Sequence, residues 1–313
     1  MRKEVSNTGF GADSSRVFKR IINADGSYNI NRIGATAKWK DAYKYLIEIS
    51  WGRFFLWLLT FYISLNLIFT ILYWFIGFNH ITGVDRQADS VFMQIFFFSV
   101  QTFTTVGYGV MAPTGFWTQM LSSIEAFTGF LSFSLMTGLL YGRFSKPVSK
   151  IIFSKNAIVA PYKEGTSLQI KIANERDNVL MDVSAKMILV FDTTDDQGDM
   201  KKHYFQLPLE VSEVSLLPLS WTIVHPINEE SPLFGKSQEE ISALHAELLI
   251  IISGYDEVFS QVINDIKSYY HTDILWNWKF KKIFAPGTNG DIIIDLTQLN
   301  AAENLNHASK NNL

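Results

Sequence analysis

The chain has 313 residues and a formal net charge of −3, with 48% hydrophobic and 14% aromatic residues. That length accommodates a membrane part and one soluble domain. The small net charge gives no basis for nucleic-acid binding, and the lack of cysteine excludes disulfides and thiol-ligated zinc or iron–sulfur sites. The polar start of the chain has no apolar run, so no cleavable signal peptide is expected.

An amphipathic segment comes first. In residues 37–51, Trp39, Tyr43 and Leu46 follow helical spacing on one side, and charged residues lie elsewhere. The pattern predicts a helix lying along the cytoplasmic membrane interface. A plain surface helix of a soluble domain is the alternative.

Two segments are long and apolar enough to cross a bilayer. Residues 54–76 carry no charge and have Trp57 and Trp74 near their two ends, as interfacial anchors do. Residues 116–141 are interrupted only by polar residues and by Glu125. Because Glu125 lies towards the outer end of this second span, we expect it to form a structural hydrogen bond with the segment between the spans.

That intervening segment, residues 89–103, is too short to cross and predicts a re-entrant pore helix. It leads into the sequence TTVGYG at residues 104–109. Backbone carbonyls of such a stretch can point into an axial pore and replace the water shell of K⁺, while Gly109 shapes the outer turn. A glycine turn between β-branched residues is the alternative, which the two flanking spans disfavour. The predicted K⁺ ligands are the carbonyls of Thr105, Val106, Gly107 and Tyr108.

Basic residues set the predicted orientation. Lys44 and Arg53 precede the first span, and Arg143, Lys146 and Lys150 follow the second. The positive-inside bias therefore predicts a multi-pass protein of the cell inner membrane with both termini in the cytoplasm. One chain supplies one filter strand and two spans, which cannot enclose a pore, so a homotetramer is expected.

Beyond residue 150 the hydrophobic pattern changes to period two. Val183, Ala185, Met187, Leu189 and Phe191 alternate with polar residues, and further short segments of this kind are separated by turn residues. Many short strands with such turns predict a β-sandwich. Residues 237–240 predict a capping box that opens one short helix, and the Asn-rich stretch from residue 297 onwards predicts a disordered tail.

Together these motifs resemble the inward-rectifier potassium channel family, in its prokaryotic branch, over about residues 20–295. The resemblance rests on the filter, on Asn23–Ile30 with Gly34, on the Arg-Phe-Ser-Lys-Pro junction at residues 143–147, and on segments 230–233, 254–260 and 273–276. It implies two transmembrane helices plus a re-entrant pore helix per subunit, followed by a cytoplasmic all-β immunoglobulin-like sandwich. The expected parts are an N-terminal cytoplasmic segment (1–36), an interfacial helix (37–52), a pore domain (53–147), a sandwich domain (148–296) and a disordered tail (297–313).

The resemblance also implies roles for single residues. Gly129 matches a mid-helix hinge, although a small residue for close helix packing explains it equally well. Tyr141 matches the gate at the helix bundle crossing, with an interfacial anchor as the alternative. The pore-lining position at which many eukaryotic members carry an acid is Phe133 here, which argues against strong rectification through that site. The segment 254–260 matches a loop that narrows the cytoplasmic pore.

One further difference concerns the filter. A Glu–Arg pair found behind the filter of those members is replaced here by Gln101 and Met111, so no lone buried charge remains.

The expected ligands and partners follow. K⁺ is the permeant ion, no organic cofactor is expected, and Mg²⁺ or polyamines are candidate blockers. Anionic lipid headgroups are expected at Arg53, Arg143, Lys146 and Lys150, although topology determination alone also explains these charges. No catalytic constellation is present, so the chain is not expected to be an enzyme. A membrane-anchored binding module with a vestigial pore and a non-selective cation pore remain as alternative functions.

Overall fold

The computed structural model describes residues 20, 22, 23, 26, 29, 42–87, 89–146, 149–194 and 200–305. The chain divides into two compact units, one formed by Gly34–Lys146 and the other by Met1–Ile33 with Pro147–Leu313. Most of the predicted N-terminal segment, the start of the amphipathic segment (37–41) and Pro147 of the basic junction lie outside the described residues.

The first unit is helical. Its elements in chain order are α1 (Ala42–Glu48), α2 (Trp51–Ile76), β1 (Ile81–Thr82), α3 (Val91–Phe103), β2 (Ala112–Pro113) and α4 (Phe116–Phe144). The amphipathic segment and the first span are separate helices, because Ser50 has an extended backbone and occupies the N-cap position of α2. Helices α2 and α4 are long and apolar enough to cross a membrane, and α3 is too short. Strands β1 and β2 pair antiparallel between them.

The core of this unit forms where α3 packs against α2. Phe69 and Tyr73 of α2 are buried together with Ile95 and Phe98 of α3. The rings of Tyr73 and Phe98 meet edge to face with their centroids 5.2 Å apart. Most of the remaining apolar surface of α2 and α4 is exposed on the protomer, as expected of helices that contact lipid or other subunits.

The second unit, called the β unit below, is built from strands and one short helix. Its elements are β3 (Ile151–Phe153), β4 (Ala157–Tyr162), β5 (Gly165–Asn174), β6 (Leu180–Thr194), β7 (Met200–Leu207), β8 (Glu213–Leu217), β9 (Ser220–Ile227), α5 (Gln238–Ala243), β10 (Glu247–Asp256), β11 (Gln261–Tyr270), β12 (Ile274–Trp276), β13 (Trp278–Phe280), β14 (Phe284–Pro286), β15 (Ile292–Ile294) and β16 (Ala302–Asn304). Helix α5 begins with the predicted capping box at Ser237 and Glu240.

Within the described residues, ten of these strands form two five-stranded sheets that pack face to face, and the pairs β13–β16 and β14–β15 form two small two-stranded sheets. One sheet has the order β11-β10-β6-β7 with β8 also paired to β6, and the other has the order β12-β4-β5-β3 with β9 also paired to β5. The five alternating apolar residues predicted on β6 are all buried in the core between the sheets, opposite Leu168, Ile170 and Ile172 of β5. The predicted all-β sandwich is therefore confirmed.

The two ends of this unit differ from the expected domain plan. Ile22, from the N-terminal segment, is fully buried against Val190, Tyr204 and Leu249 on the outer face of the β6–β10 sheet. At the other end, β16 pairs antiparallel with β13, and Leu299 is buried beside Ile283. The prediction of disorder was therefore wrong for residues 297–305, because Leu299 supplies an apolar anchor that the polar composition of the stretch concealed. Residues 306–313 lie outside the described part.

Candidate ion-conduction site

The pore helix α3 places the TTVGYG stretch at its C-terminal end. Its first turn is capped by Ser90, whose side chain accepts a hydrogen bond from the backbone amide of Met93 at 3.2 Å. Its last turn is held by Phe103, which is buried with 1% of its surface exposed and contacts the ring of Tyr62. The chain that follows α3 therefore starts from a fixed helix end.

Gln101 holds the backbone of that stretch. Its carbonyl oxygen accepts hydrogen bonds from the amides of Val106 at 2.9 Å and Gly107 at 3.3 Å. Its side-chain Oε1 accepts from the amide of Tyr108 at 3.4 Å. Because the amides turn towards α3, the carbonyls at 105–108 are left without hydrogen-bond donors among the described residues. Unsatisfied carbonyl oxygens in this arrangement are hard ligands suited to an alkali cation.

The backbone angles alternate along the same stretch. Thr105, Gly107 and Gly109 have positive φ values of 58°, 52° and 82°, and the residues between them do not. When left-handed and right-handed backbone conformations alternate along a stretch, successive carbonyls point towards the same side of the chain. In a regular strand, successive carbonyls point to alternate sides. Thr105 is a β-branched residue in the left-handed region, a conformation that stores strain and is concentrated at functional sites.

A buried polar network supports α3 from behind. Glu125 of α4 is completely buried and accepts hydrogen bonds from the hydroxyl groups of Ser99 on α3 and Tyr73 on α2, the latter at 2.7 Å. The Ser99 hydroxyl also lies 3.1 Å from the carbonyl oxygen of Asn66 on α2. The expected hydrogen bond from Glu125 to the pore helix is thus confirmed. Sequence reasoning missed Asn66, although an amide side chain within a charge-free span was a usable signal.

The comparison with known proteins identifies the family. Residues 57–146 match the family described as "Ion channel", and residues 151–312 match "Inward rectifier potassium channel C-terminal domain". An inward rectifier potassium channel from Paramagnetospirillum magnetotacticum, Kirbac3.1, is 30% identical over 88% of this chain and 93% of its own length. The chain belongs to the inward rectifier potassium channel family.

Vertebrate members are also similar to this chain. The ATP-sensitive inward rectifier potassium channel 12 of Gallus gallus is 25% identical over 84% of this chain and 67% of its own. The G protein-activated inward rectifier potassium channel 4 of Homo sapiens is 23% identical over 87% of this chain and 70% of its own. The protein is therefore a membrane-embedded ion channel and not an enzyme.

The residues that the family resemblance singles out on α4 lie at its middle (Gly129) and in its C-terminal half (Phe133 and Tyr141). Phe133 and Tyr141 are exposed on the protomer, Tyr141 with 74% of its surface. Gly129 packs against the backbone of Phe103 at the end of α3, which supports close helix packing as its role. The hinge and gate roles stay predictions.

The four basic residues predicted to bind lipid occupy different environments. Arg143 binds the C-terminal end of α1. Its guanidinium donates hydrogen bonds to the carbonyl oxygens of Ile47 at 3.0 Å and Ile49 at 2.7 Å, and to that of Leu46. Lys146 pairs with Glu48 at 3.3 Å and Lys150 with Glu175 at 3.0 Å, all exposed, while Arg53 is exposed in the first turn of α2.

The role of Arg143 in closing α1 is a feature that sequence reasoning missed. A cation beside the last carbonyls of a helix is stabilised by their partial negative charge. The same guanidinium lies 4.5 Å from the ring centroids of both Trp51 and Phe54. An Arg at the end of one span and a Trp at the start of the other were the available signals.

In the β unit, the segment 254–260 comprises the last three residues of β10 and the four-residue turn that leads to β11. Asp256, the last residue of β10, is 1% exposed. Its Oδ1 accepts from the amides of Val258 at 3.0 Å and Phe259 at 3.4 Å, and from the side chain of Asn178 at 3.0 Å. Its Oδ2 lies 3.4 Å from Arg176. The segment is therefore held by a buried carboxylate.

Proposed function

We propose that the protein is a homotetrameric potassium channel whose selectivity filter is formed by the carbonyls of Thr105, Val106, Gly107 and Tyr108. The observation that carries this proposal is the arrangement around Gln101, which engages the amides of the stretch and leaves its carbonyls free. Membership of a potassium channel family supports K⁺ as the permeant ion. No organic cofactor enters the mechanism.

The assembly follows from what one chain supplies. A single filter strand offers carbonyls on one side only, so a dehydrated ion needs equivalent strands from further subunits. Closed rotational symmetry provides them, and channels of this family are typically tetramers in membranes. We place the protein in the cell inner membrane with both termini in the cytoplasm, which the basic residues flanking α2 and α4 support.

Ion selectivity is tested by ⁸⁶Rb⁺ uptake into liposomes that contain the purified protein. We expect uptake that external K⁺ and Ba²⁺ suppress and that Na⁺ does not support. Gly107→Val should abolish uptake, because φ at this position is 52° and a β-branched side chain is strained there. Gly138→Ala, where an added Cβ meets no atom within 4 Å, is the matched control. Equal uptake of Na⁺, or uptake that survives Gly107→Val, would contradict the proposal.

Tyr141 is proposed as the gate, where four rings form an apolar constriction that closes by dewetting. Tyr141→Ala should raise Rb⁺ uptake several-fold without changing the yield of folded tetramer. Leu135→Ala, which shortens an equally exposed apolar side chain on another side of α4, should leave uptake unchanged. If Tyr141 is only an interfacial anchor, its truncation lowers the yield and leaves uptake per tetramer unaltered.

Anionic lipids are proposed to modulate the channel through Arg53, Lys146 and Lys150, with Arg143 positioning α1. Each such charge contributes about 1 kcal/mol near an anionic surface. We expect Arg53→Gln to weaken the dependence of Rb⁺ uptake on phosphatidylglycerol content, while Arg143→Gln lowers uptake at every lipid composition. An Arg53→Gln channel with unchanged lipid dependence would remove Arg53 from the site.

Block by Mg²⁺ or polyamines is proposed to be weak, because Phe133 offers no charge at the pore-lining position. Phe133→Glu should increase spermine block in planar-bilayer recordings. Strong block of the unaltered channel would show that acids elsewhere hold the blocker.

A further inference from the structure

A cleft lies on the outer face of the β4–β5–β9 sheet in the β unit, where the segment 279–284 crosses it. Its volume is about 290 Å³, and its walls include Gln169, Thr222 and Phe284. Sites for small molecules in proteins commonly measure roughly 300–1,000 Å³. The cleft therefore matches a small solute and not a large cofactor.

The charge around the cleft has one sign. Lys171, Lys279, Lys281 and Lys282 line it, and no Asp or Glu does. None of these four lysines forms an ion pair with a described residue. Glu303 is the cross-strand neighbour of Lys279 in the β13–β16 register, without an ion pair between them. Four uncompensated cations around one cavity attract an anion.

Lys171 differs from the other three because it is buried. Only 5% of its surface is exposed, and its ammonium donates to the carbonyl oxygen of Lys281 at 2.6 Å and lies 4.8 Å from the ring centroid of Phe280. Burial lowers the pKa of Lys171 below its ordinary value. An ammonium has three N–H donors, and burying one without an anionic partner is costly unless a ligand compensates it.

We propose that this cleft binds a small phosphate-bearing anion, such as pyrophosphate or a phosphate monoester, through the ammonium groups of Lys171, Lys281 and Lys282. Phosphate oxygens accept several charge-assisted hydrogen bonds at once, which fits several converging lysines with hydroxyl and amide donors nearby. The site lies in the β unit, so its occupancy is a property separate from ion conduction.

The test uses the full-length protein in nanodiscs of phosphatidylcholine, with pyrophosphate titrated calorimetrically. We expect saturable binding that weakens as KCl is raised, because added salt screens exposed charges. Lys281→Gln with Lys282→Gln should reduce the affinity about tenfold. The control, Lys186→Gln with Lys236→Gln, removes the same charge from outside the cleft and should change the affinity less than about twofold.

Lys171→Met separates a ligand-binding role from a structural one. Removing an uncompensated buried charge should leave the thermal midpoint of the ligand-free protein unchanged or higher. The increase in midpoint caused by pyrophosphate should disappear. A lower midpoint combined with an intact pyrophosphate shift would assign Lys171 a structural role and overturn its part in the proposal.

Nanodiscs that contain phosphatidic acid identify the source of the phosphate. Loss of pyrophosphate binding in these nanodiscs, in the wild type and in the Lys186→Gln, Lys236→Gln control alike, assigns the site to lipid headgroups. Unchanged binding assigns it to soluble phosphates. Lack of saturable binding in phosphatidylcholine nanodiscs, or equal losses in the two double variants, overturns the proposal. Because none of these measurements uses ion flux, they stand or fall independently of the proposed conduction pathway.

Discussion

Gly129 on α4 lies so close to Phe103 that a Cβ at Gly129 would be 1.9 Å from the Phe103 carbonyl oxygen. Phe103 is the last residue of the pore helix α3. Helix α4 therefore supports the helix end from which the TTVGYG stretch starts, and it does so through direct backbone contact. Only glycine permits this approach.

Gly129→Ala should destabilise the protein by about 1–3 kcal/mol, because the methyl group forces α4 away from α3. The measurement is the temperature at which the detergent-solubilised tetramer dissociates, with Gly138→Ala as the control because its Cβ meets no neighbour. A hinge role without tight packing makes a different prediction: Gly129→Ala would change Rb⁺ uptake and leave tetramer stability equal to that of the control.

Removing the carboxylate of Glu125 should uncouple the three helices that meet there. Glu125→Leu leaves the Tyr73 hydroxyl without its acceptor, and a buried unsatisfied hydroxyl costs about 1–3 kcal/mol. Glu125→Gln should lower tetramer stability less than Glu125→Leu does, because the amide keeps one acceptor oxygen. Tyr73→Phe should lower stability less in the Glu125→Leu background than in the wild type, since the Tyr73–Glu125 hydrogen bond is already absent there. Strictly additive effects on tetramer stability would contradict a direct coupling.

The turn that connects β10 and β11 should open when Asp256 is truncated. Asp256→Ala removes the acceptor shared by the Val258 and Phe259 amides, so hydrogen exchange at these two residues should accelerate at least about tenfold. Asp256→Asn should have a smaller effect, because its carbonyl oxygen still accepts. Glu257→Ala alters an exposed acid in the same turn and serves as the control. Unchanged exchange in Asp256→Ala would mean that the turn is held by other contacts.

His225 should make stability depend on pH. Burial lowers the pKa of His225 below its ordinary value of 6.5. Its Nδ1 donates to the carbonyl oxygen of Pro208 at 2.6 Å, and its Nε2 accepts from the hydroxyl of Ser231 at 2.8 Å. The folded state therefore favours neutral imidazole, and the unfolded state binds the proton first as pH falls. Stability should decrease below about pH 6.5, by at most about 1.4 kcal/mol per pH unit from this group.

Thermal unfolding between pH 7.5 and 5.5 measures this dependence, and other groups that titrate in the range contribute to it. His225→Asn keeps a donor for Pro208 and cannot titrate in the range, so the difference in slope between wild type and variant isolates His225. We expect the thermal midpoint to fall less steeply with decreasing pH in the variant than in the wild type. Equal pH dependence of the two midpoints would show that His225 does not contribute.

Several features were predictable because they depend on short-range pattern. The two spans, the pore helix and the alternating residues of β6 follow from hydrophobic periodicity alone. The capping box at Ser237 follows from a local hydrogen-bond motif. The hydrogen bond of Glu125 followed from its depth in the second span, since a carboxylate there needs a partner.

Other features depend on residues far apart in the chain. Leu299 orders a stretch whose polar composition predicted disorder, because it packs beside Ile283. The hydrogen bonds from Arg143 to the carbonyl oxygens at the end of α1 require α1 to pack against α4, and no local sequence pattern predicts that contact.

By itself, the amino-acid sequence determined the membrane spans, the position of the TTVGYG stretch, the β-sandwich class and the family resemblance, because each follows from hydrophobic periodicity or from contiguous motifs. Only the tertiary structure decided which amides Gln101 engages, why residue 129 must be glycine, and which lysines gather around one cleft. These arrangements depend on distances between segments that are remote in sequence, and such distances are set by packing.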